Sequence, residues 1–355
     1  MELPATLKEG LEQAAQGVPL GELSRAVDTL SGRYRHEVMD GAWHVSGDLA
    51  ARAYLTVRFP ATFAALASAM LEIGRVRPDF QPVTHLDVGS GPGTAFWAAH
   101  EIWDSLQKAV MLEGSPHMRE WGQNLARLTS VQSHWVDVDV RRGLPDTGPH
   151  DLVTLSYVLN ELTPDTRPHL IRELWERTGD TLLIVEPGTT TGWQRILDAR
   201  QHLLKLGAHL LAPCPHAQTC PIHTPDWCHF SVRVARSSLH RRGKGAELAY
   251  EDEKFIYLAA SRQTGEQIAG RVLTQPTTRS GLVNLKLCTQ QGTLHHRTIS
   301  KRDGETYKRA KKLDWGDALE EDGKRCPRVQ GSEKNHLSPG FFPLSTHHCP
   351  LTTSH

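Results

Sequence analysis

The stretch Leu86-Asp87-Val88-Gly89-Ser90-Gly91-Pro92-Gly93-Thr94 decides the reading of this chain. The short run Val83–Val88 reads as a strand, three glycines follow at alternate positions, and Thr94 opens a helical stretch. Glycine lets a backbone turn sharply and approach a ligand where a Cβ would collide. The helix start behind it adds free N–H groups and a partial positive charge. Strand, glycine loop and helix in that order predict a site for an anionic or carboxylate-bearing cofactor.

The spacing is G-x-G-x-G, with Asp87 two positions before Gly89, where the dinucleotide fingerprint is G-x-G-x-x-G. This variant resembles motif I of class I S-adenosylmethionine-dependent methyltransferases. Glu113 ends the next strand, 20 residues beyond Gly93, where a carboxylate can accept both ribose hydroxyls of a nucleoside. Asp137, in Trp135-Val136-Asp137, lies where such folds often contact the adenine edge. The cofactor-binding candidates are therefore Asp87, Gly89, Gly91, Gly93, Glu113 and Asp137, and the cofactor expected is S-adenosylmethionine. A glycine loop kept for packing alone is the alternative. After the strand Leu152–Ser156 comes Tyr157-Val158-Leu159-Asn160-Glu161-Leu162. It lacks the Asn/Asp-Pro-Pro-aromatic loop of amino-directed nucleic-acid methyltransferases. Pro187-Gly188 follows the next strand with no cysteine beside it, and Pro213-Cys214 and Thr219-Cys220 lie too far along. Asn160 and Glu161 are candidate pocket residues, and no catalytic residue is named.

Outward from the glycine loop, Ala109–Leu112, Leu152–Ser156 and Leu182–Val185 join Val83–Val88 as short apolar runs bounded by Gly, Pro or charge. They predict buried parallel strands. Thr94–Leu106, Pro116–Leu128 and Thr166–Arg177 read as the helices between them, so the fold class is α/β, a doubly wound Rossmann-like sheet. Residues 1–75 read as a helical cap, 76–211 as the Rossmann-like domain ending in a long helix over Gly192–Leu211, and 212–245 as a Cys-rich lobe with a basic stretch. Residues 246–317 read as a small C-terminal β region with a strand over Gly281–Cys288, and 318–355, polar and rich in Pro, Ser and His, as a disordered tail.

Lys plus Arg and Asp plus Glu each number 40 in 355 residues, so whole-chain charge gives no argument for nucleic acid. Six cysteines are too sparse for a secreted disulfide scaffold, and no run of roughly 18 apolar residues predicts a membrane span. The N-terminus carries Lys8, Glu9 and Glu12 with neither a signal-peptide core nor an Arg-rich leader. A cytoplasmic protein of bacterial type is the expectation.

Cys214, Cys220 and Cys228 form C-x5-C-x7-C in a proline-stiffened segment. Cys288 is the best fourth ligand: Val283, Leu285 and Leu287 alternate on one face of its strand and Cys288 lies on the other. The spacings fit zinc knuckles poorly and an iron–sulfur cluster better. Zinc held through cysteines with His216, His223 or His229, and inert buried thiols, stay open. Cys326 and Cys349 read as free. Arg233, Arg236, Arg241, Arg242 and Lys244 follow with no acid among residues 229–245. A second basic run holds Arg297, Lys301, Arg302, Lys308, Arg309, Lys311 and Lys312. Two such runs flanking the cysteines predict an RNA-binding surface on which Tyr307 and Trp315 could stack bases.

The glycine loop taken with Pro213-Cys214-Pro215-His216, Cys220-Pro221, Asp226-Trp227-Cys228-His229-Phe230, Tyr250-Glu251-Asp252-Glu253-Lys254-Phe255-Ile256-Tyr257-Leu258 and Trp315-Gly316-Asp317 resembles the mitochondrial small-ribosomal-subunit methyltransferase-like family (methyltransferase-like protein 17 and its bacterial relatives) over residues 30–317. The resemblance implies a class I methyltransferase fold, a [4Fe–4S] cluster on Cys214, Cys220, Cys228 and Cys288, and association with small-subunit ribosomal RNA during assembly. The acidic N-terminus departs from the mitochondrial members. An S-adenosylmethionine-dependent methyltransferase-like protein acting on or binding that RNA is the expectation. A non-catalytic iron–sulfur assembly factor and, further off, a small-molecule methyltransferase are the alternatives. The oligomeric state is not legible.

Overall fold

A computed structural model describes residues 2–35, 45–245 and 247–319. Four helices open the chain: α1 (Ala5–Ala14), α2 (Leu20–Arg35), α3 (Asp48–Val57) and α4 (Phe59–Val76). Then strands and helices alternate: β1 (Thr84–Val88), α5 (Thr94–Ile102), β2 (Lys108–Glu113), α6 (Pro116–Ala126), β3 (Gln132–Asp137), β4 (His150–Ser156), α7 (Arg167–Glu176), β5 (Thr178–Pro187), α8 (Thr190–Lys205) and β6 (His209–Ala212). The remainder is β7 (Phe230–Ala235), α9 (Ser238–Lys244), β8 (Tyr250–Ser261), β9 (Gly270–Val272), β10 (Thr277–Arg279), β11 (Leu282–Thr289), β12 (Leu294–Ser300), α10 (Glu305–Ala310) and β13 (Ala318–Leu319).

The main sheet runs β3-β2-β1-β4-β5-β8-β6. The strands from β3 to β5 pair in parallel, and β8 then enters antiparallel to β5. Because β1, β4 and β5 are covered on both faces, they are nearly continuous apolar runs; Leu86, Val88, Leu152, Val153 and Leu182–Val185 are fully buried. The apolar helix α4 supplies much of the cover, with Phe59, Phe63, Leu66, Met70 and Ile73 at 1% exposure or less. Each such side chain is worth about 1.5–3 kcal/mol of burial. No single helix among the described residues is long and apolar enough to cross a membrane; α3 and α4 pass that test only as a pair bent by 51°, and both lie in the core.

The far edge of β8 is shared end to end. β6 pairs with Ala259–Ser261, and β7 pairs with Tyr250–Phe255. Residues 213–229, which carry three cysteines, are therefore a loop that leaves this edge and returns to it. The helix expected over Gly192–Leu211 stops at Lys205, because Gly207 turns left-handed at φ +80° and sends the chain into β6. The second sheet is antiparallel, ordered β10-β11-β9-β13, with β12 on the other side of β11. Val283, Leu285, Leu287, Ile299 and Tyr307 form its own small core. Ala318–Leu319 pair with β9, so the expected tail does not begin at 318. The remainder of that segment, with Cys326 and Cys349, lies outside the described residues.

Candidate functional sites: a glycine-loop pocket and a four-thiol cavity

Gly89, Gly91 and Gly93 all take left-handed φ, at 64°, 54° and 82°, a region costly for other residues. At Gly89 space matters as well, since a Cβ would lie 2.5 Å from Val158. Beyond Gly91 there is open space, and the loop opens onto a pocket walled by Gly89, Gly91, Glu113, Tyr157 and Glu161. Glu113 sets the loop's shape: one carboxylate oxygen accepts the Gly91 N–H at 2.8 Å and the other the Ser115 N–H at 2.7 Å. Burial pushes the Glu113 carboxyl up against these two donors. Burial, then the neighbouring Glu113, pushes Glu161 up to about 8.

Three of the expected cofactor residues do not reach this wall. Asp87 is wholly buried beneath the loop. It accepts the Thr154 hydroxyl at 2.7 Å, and Thr154 in turn meets His85 Nε2 at 2.8 Å. Since that hydroxyl donates to Asp87, His85 is the donor in the second bond. Burial pushes Asp87 up to about 7. Gly93 faces Trp135 and Phe96. Asp137 corrects the expectation of an adenine contact: its side chain is 72% exposed and gripped by Arg119 at 2.8 Å. The alternation along β3 points it out of the pocket, and Val138 lines the wall instead. Asn160 is buried at the turn after β4, off the pocket wall.

Sequence reading missed the other side of the pocket. Tyr157 has φ +58°, the one non-glycine residue with positive φ among those described. Its hydroxyl donates to Glu253 at 3.3 Å. Arg58 reaches the same carboxylate at 3.2 Å and lies 5.9 Å and 5.8 Å from the Tyr34 and Tyr157 rings. Nothing in residue spacing announces this group, which is drawn from α2, the α3–α4 junction, β8 and the end of β4.

The second site forms where the 213–229 loop meets β11. Cys214, Cys220, Cys228 and Cys288 line one mostly apolar cavity with Ile256 and Leu258 of β8. Cys288 lies on the face of β11 opposite the small core, packed against the main body. Burial, then Cys214 and Cys220, pushes its thiol up to about 12. Burial, then Cys214, also raises Cys228. Cys288 Sγ lies 3.3 Å from His216 Nε2. Among the described residues no three of His, Cys, Asp and Glu stand close enough to hold a single metal ion, which would draw its thiolates to about 2.3 Å. His223 is exposed, and His229 is stacked on Trp227 at 4.9 Å. Four thiols spaced around a cavity fit a larger thiolate-bound group, for which an iron–sulfur cluster has the right donor set.

The short sequence blocks converge on this cavity. Asp226 forms an ion pair with Lys286 of β11, on the strand face that also carries Cys288. Trp227 Nε1 donates to the Gly188 carbonyl at 3.0 Å, and the Trp315 ring sits edge-on to His229 at 4.8 Å. The basic residues divide. Arg233 pairs with Asp252 at 2.9 Å, and Arg236 and Lys244 pair with Glu251 at 2.9 Å and 2.7 Å. The stretch without local acids is thus matched by the acids of β8, its antiparallel neighbour. Arg241 and Arg242 are exposed, as are Arg297, Lys301, Arg302, Lys308, Lys311 and Lys312; Arg309 is half-buried. Tyr307 is buried in the small core and so is not offered to a base.

The chain is 30% identical over 349 residues to the human ribosome assembly protein METTL17, mitochondrial, covering 92% of this chain and 72% of that one. It is 23% identical to Rsm22-cox11 tandem protein 2, mitochondrial, of Schizosaccharomyces pombe, and spans 43% of that relative's length. Among solved structures it is similar to magnesium protoporphyrin IX methyltransferase of Synechocystis PCC 6803 with bound SAM, at 14% identity over 70% of this chain and 99% of that one, TM-score 0.39. The cytoplasmic expectation is overturned by these relatives, which are mitochondrial by name. The acidic segment behind that expectation is α1, whose Leu7, Leu11 and Ala14 are buried. A family model described as mitochondrial small ribosomal subunit Rsm22 matches residues 48–320, and the chain belongs to that family.

Proposed function

We propose that this protein assists assembly of a small ribosomal subunit by binding its ribosomal RNA. The observation that carries the reading is the family match over residues 48–320, together with a relative named as a ribosome assembly protein. The exposed cations Arg297 of β12, Lys301 and Arg302 just after it, and Lys311 and Lys312 after α10 supply a phosphate-tracking face, whereas Arg233, Arg236 and Lys244 serve mainly to fasten β7 and α9 to β8. S-adenosylmethionine is assigned to the pocket at Gly89, Gly91 and Glu113, with Glu113 offering its remaining lone pairs to a ribose diol. A [4Fe–4S] cluster is assigned to Cys214, Cys220, Cys228 and Cys288. Bound there, it would supply a covalent tie between the 213–229 loop and β11.

Methyl transfer to the RNA is the second reading, favoured by the placement of Tyr157 and Glu161 on the cofactor pocket. A small-molecule methyltransferase would leave the basic face without a use. Ultraviolet crosslinking of tagged protein in cells, with sequencing of the bound RNA, tests the proposal. Reads concentrated on small-subunit ribosomal RNA, and diminished by Lys301→Glu with Arg302→Glu, are expected. No enrichment over an untagged control sinks the assembly reading.

A further inference from the structure

Two arginines line the four-thiol cavity, and both are almost fully buried: Arg200 of α8 at 4% exposure and Arg271 of β9 at 1%. Cationic side chains are rarely buried without a partner that uses them. Each arginine spends part of its guanidinium on the loop that presents the cysteines. Arg200 Nη2 donates to the carbonyls of His216 at 2.9 Å and Gln218 at 2.6 Å, between Cys214 and Cys220. Arg271 Nε donates to the carbonyl of Pro213, beside Cys214, at 2.9 Å, and its Nη1 reaches Gly316 O at 2.8 Å and the Glu72 carboxylate. In the β9–β11 register Arg271 stands directly opposite Cys288, so the two side chains share a face of the sheet.

Each guanidinium also keeps a buried nitrogen with no hydrogen-bond partner: Nε of Arg200 and Nη2 of Arg271. A buried N–H without an acceptor is destabilising, and more so on a charged group. Two such nitrogens, from different elements, border one cavity lined also by four thiols and by His216, whose Nδ1 is likewise buried without a partner. Among the described residues only Glu72 supplies a carboxylate to either arginine, and Arg75 shares that carboxylate at 3.0 Å. The two guanidiniums therefore bring positive charge to a cavity lined mostly by apolar side chains and thiols.

We propose that Arg200 and Arg271 are positioning residues for an anionic, sulfur-rich group held by the four cysteines. They fix the ligand loop and donate their unpartnered N–H groups to its sulfur atoms. This rests on the cluster reading above. A cluster on four thiolates carries net negative charge, and reduction by one electron adds to it. Nearby cations and N–H···S bonds favour the reduced form, so they hold the reduction potential up. They also slow ligand loss, as outer-shell partners of metal ligands generally do.

The test uses the full chain, reconstituted anaerobically with iron and sulfide, and reads two quantities that a merely structural arginine would not move together. Stepwise dithionite titration, followed by visible absorbance, gives the midpoint potential. Release of iron to a chelator gives the rate of cluster loss. Arg200→Gln is expected to lower the midpoint and to speed release on the order of tenfold, while Arg200→Lys restores most of the midpoint because it returns the charge. A midpoint and release rate for Arg200→Gln equal to wild type, at equal iron content, overturn the proposal. Should Arg200→Gln not fold, the unaltered protein labelled with 15N-arginine answers instead. Pulsed electron paramagnetic resonance of its reduced cluster should show guanidinium nitrogen coupling, and absence of that coupling overturns the proposal equally. If the unaltered protein takes up no iron and gains no visible absorbance, the cluster reading itself has failed, an outcome distinct from an unmoved Arg200→Gln.

Discussion

Asp87 is conspicuous in the sequence, yet its side chain works under the glycine loop and not in the pocket. It ties β1 to β4 through Thr154 and, held at about 7 by burial, is protonated more readily in the folded chain than in the unfolded one. The sign follows from linkage: a carboxyl with a raised folded pKa favours folding fully below its unfolded pKa, and that contribution is lost as pH rises through the folded value. Between about pH 4 and 7 the wild type should lose up to ~4 kcal/mol relative to an uncharged isostere. Asp87→Asn, which keeps an oxygen for Thr154, should therefore gain over wild type as pH rises across that window, with a flat difference above it. Urea midpoints of both proteins at pH 5, 6, 7 and 8 check this; a difference that does not grow with pH refutes the burial argument.

Elements meet here by close approach as much as by apolar area. Helix α6 lies against β3 at Gly122, where a Cβ would sit 2.0 Å from the Trp135 indole. A Cβ at Gly93 would lie 3.3 Å from the same ring, so Trp135 wedges α6, β3 and the end of the glycine loop together. Gly122→Ala gains about 1 kcal/mol of helix propensity but overpacks a rigid ring, a change that typically costs about 1–3 kcal/mol. The net expectation is a lower denaturation midpoint, with Trp135→Phe partly restoring it in the double variant. An unchanged midpoint for Gly122→Ala would mean that the ring moves freely. At the same scale, each acid of the β8 block Glu251-Asp252-Glu253 serves a different set of partners. Glu251 gathers Arg236 and Lys244, Asp252 holds Arg233, and Glu253 holds Arg58 and Tyr157.

Across the whole molecule, the cysteine cavity is a junction. Its ligand loop leaves and rejoins the edge of the main sheet, and Cys288 comes from the second sheet. A group bound by all four thiols would staple the two sheets, so its loss should loosen both. Cys228→Ser is expected to lower iron content and to drop Tm by roughly 5–10 °C, since binding free energy at such a site is folding free energy. Scanning calorimetry with metal analysis on the same samples measures both. Full iron content with an unchanged Tm would remove the stapling role.

The alternation of apolar runs and helical periods was enough, by itself, to specify the parallel α/β sheet, because strands buried on both faces must be continuously apolar. The left-handed glycines and the acid ending β2 were legible for the same local reason, since φ and strand ends are properties of neighbours in sequence. The opposite facing of Cys288 from Leu287 was also legible, because a strand alternates. What the tertiary structure alone decided is which residues share a space. It turned Asp137 outward to Arg119, spent Arg233 and Arg236 on acids of the adjacent strand, and buried Tyr307. It also gathered Tyr34, Arg58, Tyr157 and Glu253 from distant segments, and set Arg200 and Arg271 against four thiols. Burial and charge pairing depend on neighbours in space, and in this fold those neighbours are supplied by crossovers and shared strand edges that no local spacing encodes.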